Sequence, residues 1–241
     1  MKPSFLKAEL GEIFKVQEKR VVETLSTGIP EIDELTGGMP RGGITEIFGP
    51  ASSGRTSLMF SVLAHATAHE ETCALVDTSD VFAPVPAAAA GIDFDRLLWV
   101  RCGGNLENAF KSADLLVHAG GFGLVILDLG NVAAKDASRI ISSWWYRFRR
   151  TVENTPTVMM VISEEGCTRS CAGLTLELNG AGEWSQANVE QRNVLPMRKH
   201  VPVSQPPITQ GNLLDFNSIK VNRQRPLSPW INESQFRARF A

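Results

Sequence analysis

The stretch GPASSGRTS, from Gly49 to Ser57, has the composition and spacing of a phosphate-binding loop. In the pattern G-x-x-x-x-G-K-[ST], the glycines let backbone N–H groups approach phosphate oxygens, and the Ser/Thr hydroxyl binds magnesium. Gly54 and Thr56 stand at the required positions, but Arg55 replaces the lysine. The sequence therefore predicts a nucleotide site formed by Gly49, Pro50, Ala51, Ser52, Ser53, Gly54, Arg55, Thr56 and Ser57.

Arginine at position 55 retains the charge of the expected lysine but changes its shape. A guanidinium is planar and longer than an ammonium group, so the two are not interchangeable at a phosphate site. Phosphoryl transfer depends on the placement of that charge. We therefore expect nucleotide binding to be weakened or reshaped, and catalysis to suffer more.

Asp128 ends the apolar run LVILD, which is typical of a buried strand. A carboxylate at this position can hold magnesium through water, opposite the Thr56 hydroxyl. The alternative is that Asp128 only forms the turn that ends the strand. Because a phosphate loop occurs in the same chain, the pattern favours the metal site, with Thr56 and Asp128 as the predicted Mg²⁺ ligands.

Strands alternate with helices along most of the chain. Helical patterns at Thr56–Glu70, Asn105–Ala119 and Ser138–Glu153 separate apolar runs that are typical of buried strands. Uninterrupted apolar strands indicate a mainly parallel, twisted sheet that helices cover on both faces, which is an α/β fold. The apolar runs are Ile44–Gly49, Cys73–Asp80, Leu97–Cys102, Gly123–Gly130 and Thr157–Glu165.

The two ends of the chain have different patterns. Ala172–Gly180 alternates leucine with polar residues, which predicts an antiparallel edge strand, and Leu213–Trp230 is the last strand candidate. Phe5–Gln17 predicts an amphipathic helix that must pack on its own core or on a neighbouring subunit. The predicted organisation is a helix and lead-in strand at 1–25, a core at 26–230 and a C-terminal tail at 231–241.

The cysteines and histidines do not predict a metal site. Cys167 and Cys171 have a loose ligand-like spacing, but no second pair of cysteines or histidines follows nearby. His65 and His69 share a helix face, yet Ala66 stands where the metalloprotease pattern requires glutamate. We interpret both histidines as ordinary helix residues and expect no zinc.

The composition is that of a globular protein, with 43% hydrophobic and 21% charged residues among 241. No apolar run reaches the roughly 20 residues that a membrane-spanning helix needs, and the N-terminal MKPSFLKAELGEIFK lacks a signal-peptide core. We expect a cytoplasmic protein without a membrane partner. The net charge is −2, but residues 191–241 carry eight Lys/Arg against two acidic residues, which suits nucleic acid, an acidic partner or a solvated surface.

The segment VETLSTGIPEIDELTGGMPRGGITEIFGPASSGRTSL resembles the ATPase core of the RecA family of bacterial recombinases, in which STG…LD…GG.P.G...EI.GP.SSGKT opens the nucleotide site. The resemblance continues through TCALVDTSD, LVILDL and MMVISEE to SIKVNRQRPLSPW, from about Val21 to Trp230. It implies a P-loop NTPase core, ATP and Mg²⁺ as ligands, single-stranded DNA as a partner, and DNA repair, recombination or the SOS response as the context.

The sequence departs from the family at further functional positions. Ser79 replaces the glutamate that activates the attacking water, although Asp80 beside it could substitute. Glu164 replaces the glutamine that senses the terminal phosphate, and its charge would repel a phosphate. Only about Glu165–Cys171 remains of the mobile DNA-binding loop. With Arg55, these departures imply a paralogue that keeps the fold and part of the phosphate-binding machinery but no secure catalytic residue.

Three functions compete on this basis. The first is a RecA-like DNA-repair protein that binds ATP and hydrolyses it slowly or not at all. The second is a non-enzymatic adaptor for an error-prone translesion polymerase, because AAAAGIDFDRLLWVRC also resembles the RecA-related ImuA proteins of damage-induced mutagenesis. The third, a P-loop enzyme acting on a small molecule, fits the loop but not the rest of the resemblance.

Two apolar sets bear on partner binding. The aromatic residues of the predicted helix at Ser138–Glu153 fit a core better than an interface, because a helix covering a sheet must bury a wide stripe. The stripe on the N-terminal helix could dock on a neighbouring copy, as the N-terminal helix does in RecA filaments, and would then form a homo-oligomer. The two sets are Trp144, Trp145, Tyr146 and Phe148, and Leu6, Leu10, Ile13 and Phe14.

Overall fold

The computed structural model describes residues 23–137, 140, 142–179, 219–225 and 233–236. The strands are β1 (Thr24–Leu25), β2 (Met39–Pro40), β3 (Gly43–Phe48), β4 (Cys73–Asp77), β5 (Leu97–Arg101), β6 (Leu124–Asp128), β7 (Val158–Ser163), β8 (Leu174–Asn179), β9 (Ile219–Arg225) and β10 (Glu233–Phe236). The helices are α1 (Pro30–Thr36), α2 (Arg55–Ala68), α3 (Pro84–Ala89), α4 (Leu106–Ala119), α5 (Ala134–Ala137) and α6 (Ser142–Val152).

Eight strands form one sheet in the order β10-β9-β8-β3-β7-β6-β4-β5, and β1 pairs with β2 separately. The strands from β8 to β5 are parallel to one another, whereas β9 and β10 are antiparallel to their neighbours. The α/β fold with a mainly parallel sheet is therefore confirmed. The order places β3, β7, β6 and β4 side by side, so the loops after these strands share one edge of the sheet.

Buried strand residues pack alternately on two hydrophobic clusters, one on each face. On β6, Leu124 and Ile126 join the cluster that contains α1 and α2 residues, whereas Val125 and Leu127 join the cluster that contains α4 and α6 residues. Both faces need apolar side chains, and this explains why these strands are continuous apolar runs.

The aromatic residues of α6 belong mainly to the core, as the sequence indicates. Trp145 and Phe148 are buried, and both rings contact Phe110 on α4, with ring centroids 5.2 and 5.7 Å from that of Phe110. Trp144 is half-buried against the same cluster. Only Tyr146 among the four is exposed, so α6 packs on the sheet through most of its aromatic surface.

The prediction of an antiparallel edge strand at Ala172–Gly180 is wrong. β8 lies inside the sheet, parallel to β3 and antiparallel to β9. Its leucines pack on the cluster that contains α1 and α2 residues, and none of its side chains belongs to the other cluster. The alternation of leucine and polar residues therefore reports one-sided burial. It contains no information about strand direction.

A segment of ten residues, 164–173, connects the parallel strands β7 and β8 across β3. Parallel strands are usually joined by a longer crossover that contains a helix. Here Cys167, Cys171 and Ala172 pack on the face that α4 and α6 cover, and the Gly173 N–H donates to the Ile44 carbonyl of β3 at 2.9 Å. The crossover segment thus covers β3 where a helix would otherwise lie.

The ends of the chain are described only in part. The predicted helix at Phe5–Gln17, its apolar stripe and most of the basic stretch at 191–241 lie outside the described residues. Within the expected tail at 231–241, β10 pairs with β9 and extends the core sheet. In the described part of the chain, no helix is long and apolar enough to cross a membrane.

Candidate functional site

The loop between β3 and α2 has the backbone shape that a phosphate-binding loop needs. Gly54, directly before α2, has φ 97°, and Ser52 has φ 63°. A Cβ on Gly49 would overlap the Leu178 carbonyl oxygen of β8, so this position accepts only glycine without a backbone shift. The two glycines of the motif thus have separate roles: Gly49 permits close packing and Gly54 permits the turn into the helix.

The amide groups of this loop are available to a ligand. Among the described residues, the Ser53 N–H donates to the Pro50 carbonyl at 3.2 Å, and no backbone acceptor is found for the N–H groups of Ala51, Ser52 or 54–57. The N–H groups of a helix's first turn have no partner within the helix, and the helix dipole adds positive potential there. The loop therefore forms an anion cradle before any ligand arrives.

Arg55 begins α2, and its side chain is directed inward. The residue is 9% exposed, and its Nη1 is buried without a hydrogen-bond partner in the described part of the chain. Nη1 lies 3.6 Å from the point that a Cβ on Gly130 would occupy, and Asp128 Oδ1 lies 2.9 Å from the same point. Burial lowers the pKa of the guanidinium, and the charges of Asp128 and then Glu164 oppose this effect.

Asp128 ends β6 beside Arg55. Its Oδ1 accepts a hydrogen bond from the Gly130 N–H at 2.8 Å. Burial raises the pKa of the Asp128 carboxyl, the Gly130 hydrogen bond opposes the rise, and the charges of Asp77 and Arg55 act in opposite directions. The carboxyl is half-buried by its solvent exposure, and Arg55 is the cationic neighbour that stabilises its charged form among the described residues.

Strand register brings the predicted site residues to one edge of the sheet. Phe48 of β3 pairs with Ser163 of β7, so Gly49 and Glu164 both follow these paired strand ends. Asp128 pairs with Asp77 of β4, and Ser79 follows two residues later, half-buried. The phosphate loop, Glu164, Asp128 and Ser79 therefore occupy successive positions along this edge.

The residues fit a phosphate group better than a divalent cation. The free amides of the cradle and the buried donor of Arg55 match phosphate oxygens, which only accept hydrogen bonds. Magnesium requires six oxygen ligands and retains several waters. Thr56 is exposed and could contribute its hydroxyl, but Arg55 already lies beside Asp128, where its charge repels a metal ion. No group of three or more His, Cys, Asp or Glu suited to a metal occurs among the described residues.

Asp80 is engaged away from the cradle. Its backbone has φ 57°, and its carboxylate accepts hydrogen bonds from Arg101 Nη2 of β5 and from the Gly103 N–H, both at 3.1 Å. β5 is the outer strand, beyond β4 as seen from the phosphate loop. The carboxylate is therefore bound to β5 and to the turn that follows it.

Sequence reasoning missed two buried carboxylates that shape the site. Asp77 accepts hydrogen bonds from the N–H groups of Val81 and Phe82 and from Trp99 Nε1, and so fixes the loop after β4. Glu46 has the same role for the crossover segment. The signal was a carboxylate within a mostly apolar strand for Glu46 and at the end of one for Asp77, because such a group is buried only when donors surround it.

Glu46 lies on β3, three residues before the phosphate loop, and is 2% exposed. Its Oε1 accepts the N–H groups of Cys167 and Thr168 at 2.6 and 2.8 Å, and its Oε2 accepts the Thr168 hydroxyl at 2.7 Å. Arg169 in the same segment donates from Nη1 to Ser142 Oγ of α6 at 2.8 Å. These contacts hold the crossover segment against β3 and α6.

The cysteines and histidines take no part in the site. All four cysteines are buried and free of disulfides, and burial is the main cause that raises the pKa of Cys73 and Cys167 to about 12. His65 lies in the last turn of α2 and His69 directly follows the helix, with their rings tilted and the ring centroids 4.1 Å apart.

A parallel sheet whose first βα turn forms an anion cradle defines the class of phosphate-loop α/β proteins. A family profile described as the RecA N-terminal domain matches residues 4–140, which is more than half of the chain. The chain therefore belongs to the RecA family. It is similar to Protein RecA of Deinococcus radiodurans, with 39% identity over 122 residues, or 49% of this chain. The matched region spans 33% of the length of that relative.

Proposed function

We propose that this protein binds ATP and acts in DNA recombination or repair, in the context of the SOS response, with slow or no ATP hydrolysis. The observation that carries the proposal is the preformed anion cradle between β3 and α2, beside Asp128 at the same edge of the sheet. Family membership supports adenosine triphosphate as the nucleotide and DNA processing as the context.

Slow turnover follows from the residues around the cradle. Ser79 has no carboxylate with which to activate a water, and the carboxylate of Asp80 binds Arg101 and Gly103 instead. Glu164 adds a negative charge at the strand end next to Gly49, where it disfavours a developing phosphoryl charge. These features support a site that retains a nucleotide and does not accelerate its hydrolysis.

Equilibrium titration with a fluorescent ATP analogue tests the binding step. We expect saturable binding that unlabelled ATP displaces. Gly54→Val should abolish it, because a branched side chain at φ 97° distorts the cradle, whereas Gly173→Ala, with no neighbour closer than 3.9 Å to the added methyl group, should bind as wild type does. Absence of binding at millimolar nucleotide would refute the proposal, and rapid DNA-stimulated turnover would refute slow hydrolysis.

A second function, an ImuA-like adaptor for an error-prone translesion polymerase, is favoured by the crossover segment. Recombinases need a mobile DNA-binding loop after β7, and here ten residues are fixed by Glu46 and by the hydrogen bond between Arg169 and Ser142. Such a segment is better suited to support a protein surface than to line a DNA channel. Co-purification of the tagged chain with a translesion polymerase after DNA damage tests this function, and repeated failure to recover one would remove its support.

A further inference from the structure

The Arg55 side chain presents an unusual combination of burial and charge. It is 9% exposed, and its buried Nη1 has no hydrogen-bond partner in the described part of the chain. Guanidinium N–H groups are donors only, so an acceptor that enters the site would satisfy this group. A phosphate oxygen in the adjacent cradle is such an acceptor.

The carboxylates around Arg55 belong to the strand ends at the mouth of the cradle. Asp128 ends β6 and Glu164 follows β7, and both charges act on the guanidinium. The Asp128 carboxylate is the group through which a divalent cation would be held opposite Thr56. A positive side chain that begins at the cradle therefore already occupies the space beside this carboxylate.

A hydrated divalent cation and the guanidinium compete for that space. Magnesium holds most of its waters and demands octahedral geometry, whereas the guanidinium is planar and bulky, and it repels a second cation at short range. The Arg55 side chain lies in an inward position and is 9% exposed, so its charge is directed into the protein and not into solvent. The residue at the position of the motif's lysine thus brings its positive charge to Asp128, the carboxylate that was predicted to hold the metal ion.

We propose that this cradle holds the phosphates of an adenine nucleotide without a divalent cation, with the Arg55 guanidinium in the place of the metal ion. The inference rests on the nucleotide binding of the proposed function. It extends that function because it makes the interaction independent of Mg²⁺. Arg55 donates to the phosphate from the α2 side, while the negative charges of Asp128 and Glu164 act on it from the strand ends.

The test compares nucleotide affinity in EDTA and in excess Mg²⁺, with the full chain and a fluorescent ATP analogue. We expect the two dissociation constants of the wild type to agree within about threefold, whereas a metal-dependent site would differ by about tenfold or more. In Arg55→Lys, the smaller ammonium group leaves room for a hydrated cation between Thr56 and Asp128. This variant should gain a dependence on Mg²⁺ of at least about tenfold.

Two controls keep the result interpretable. Arg150→Lys makes the same exchange at an exposed position of α6 and should remain indifferent to Mg²⁺. Electron paramagnetic resonance of Mn²⁺ gives a readout independent of activity: nucleotide-loaded wild type should retain no stoichiometric Mn²⁺ beyond the amount that free nucleotide binds, and Arg55→Lys should retain one ion.

Asp128→Asn provides a second test that does not depend on the folding of Arg55→Lys. Arg55 then loses one counter-charge, and we expect nucleotide in EDTA to bind about threefold more tightly than in the wild type. If Asp128 were a metal ligand, this variant would instead bind more weakly in Mg²⁺ and unchanged in EDTA, which would overturn the inference.

The outcomes separate the inference from the proposed function. Binding to the wild type in Mg²⁺ but not in EDTA would refute metal-independent binding and leave nucleotide binding intact. Absence of binding in both buffers would contradict both. An Arg55→Lys variant that folds, binds nucleotide and remains indifferent to Mg²⁺ would refute the role of Arg55.

Discussion

At the scale of single residues, the site differs from a metal-dependent phosphate loop through its charges more than through its backbone. The cradle keeps its glycines and free amides, whereas Arg55 is buried beside Asp128, and Glu164 follows the neighbouring strand β7. Each of these charges can be removed without changing the backbone. Substitution by neutral residues of similar shape therefore separates the contribution of the backbone to nucleotide binding from the contribution of these charges.

Glu164→Gln should improve binding of ATP relative to ADP in metal-free buffer. The carboxylate repels the terminal phosphate, and because Glu164 is exposed we expect an effect of only about threefold, smaller at high salt. Competition titrations with both nucleotides measure the ratio. The neighbouring exposed Glu165, changed to Gln, is the matched control, and an equal change in both variants would show that only the net charge matters.

Asp128→Asn should stabilise the fold at neutral pH. The folded pKa of Asp128 is raised, chiefly by burial, so the native state favours its protonated form. The contribution of the protonated carboxyl to the free energy of unfolding is complete below the pKa of the unfolded state. It is lost as pH rises through the pKa of the folded state. The gain from the neutral amide should therefore shrink as pH falls toward 4. Urea unfolding at several pH values measures this, and a gain that grows in acid would contradict the desolvated carboxyl.

At the scale of elements, Glu46 links the phosphate-loop strand to the crossover segment. It is the acceptor for two amides and one hydroxyl of residues 167 and 168. One carboxylate thus replaces the packing that a crossover helix would provide. Movement of β3 at the cradle would be transmitted to the segment through these three bonds.

Glu46→Leu should destabilise the protein by about 2 kcal/mol or more, because it leaves buried donors without an acceptor. Glu46→Gln should cost less, since an amide oxygen can accept both N–H groups and the Thr168 hydroxyl can reverse its role. Urea unfolding and hydrogen exchange over residues 164–173 measure the two effects. The adjacent Thr45→Val removes a buried hydroxyl that has no partner among the described residues and should be close to neutral. Equal losses in all three variants would contradict a specific role for Glu46.

The sequence predicted the strands and helices that have a regular hydrophobic pattern. It missed the features that depend on residues distant in the chain. The apolar runs of β4, β6 and β7 and the pattern of α4 identify buried elements, because both faces of the sheet need apolar side chains. The direction of β8 has no such signature, because alternation is the same in parallel and antiparallel strands. The identity of Arg55 was visible, but its inward rotamer depends on Asp128 and Gly130, which are more than seventy residues away along the chain.

At the scale of the whole molecule, charge is distributed unevenly between the described core and the C-terminal region. The excess of Lys/Arg falls in residues 191–241, whereas the crossover segment is tied to the sheet. We therefore expect these basic residues to make any contacts with DNA, and such contacts should depend on backbone phosphates and not on base sequence.

Anisotropy titrations with a labelled single-stranded oligonucleotide at several salt concentrations test this distribution. We expect log Kd to rise with log salt. Changing Arg192, Arg198 and Lys199 to serine should lower the slope of log Kd against log salt. The decrease should be about 0.7 for each phosphate contact that is lost. The exposed pair Arg149 and Arg150 on α6, changed in the same way, should leave the slope unaltered. Binding that is insensitive to salt would contradict an electrostatic interaction.

The burial of every cysteine has a practical consequence for such experiments. Thiolates react with maleimides, and thiols whose pKa is raised to about 12, as in Cys73 and Cys167, remain protonated at neutral pH. Cys102 and Cys171 are buried as well, with raised pKa values. A single cysteine introduced at exposed Tyr146 should therefore take up a fluorophore selectively in the native protein. The native cysteines therefore need not be replaced before site-directed labelling.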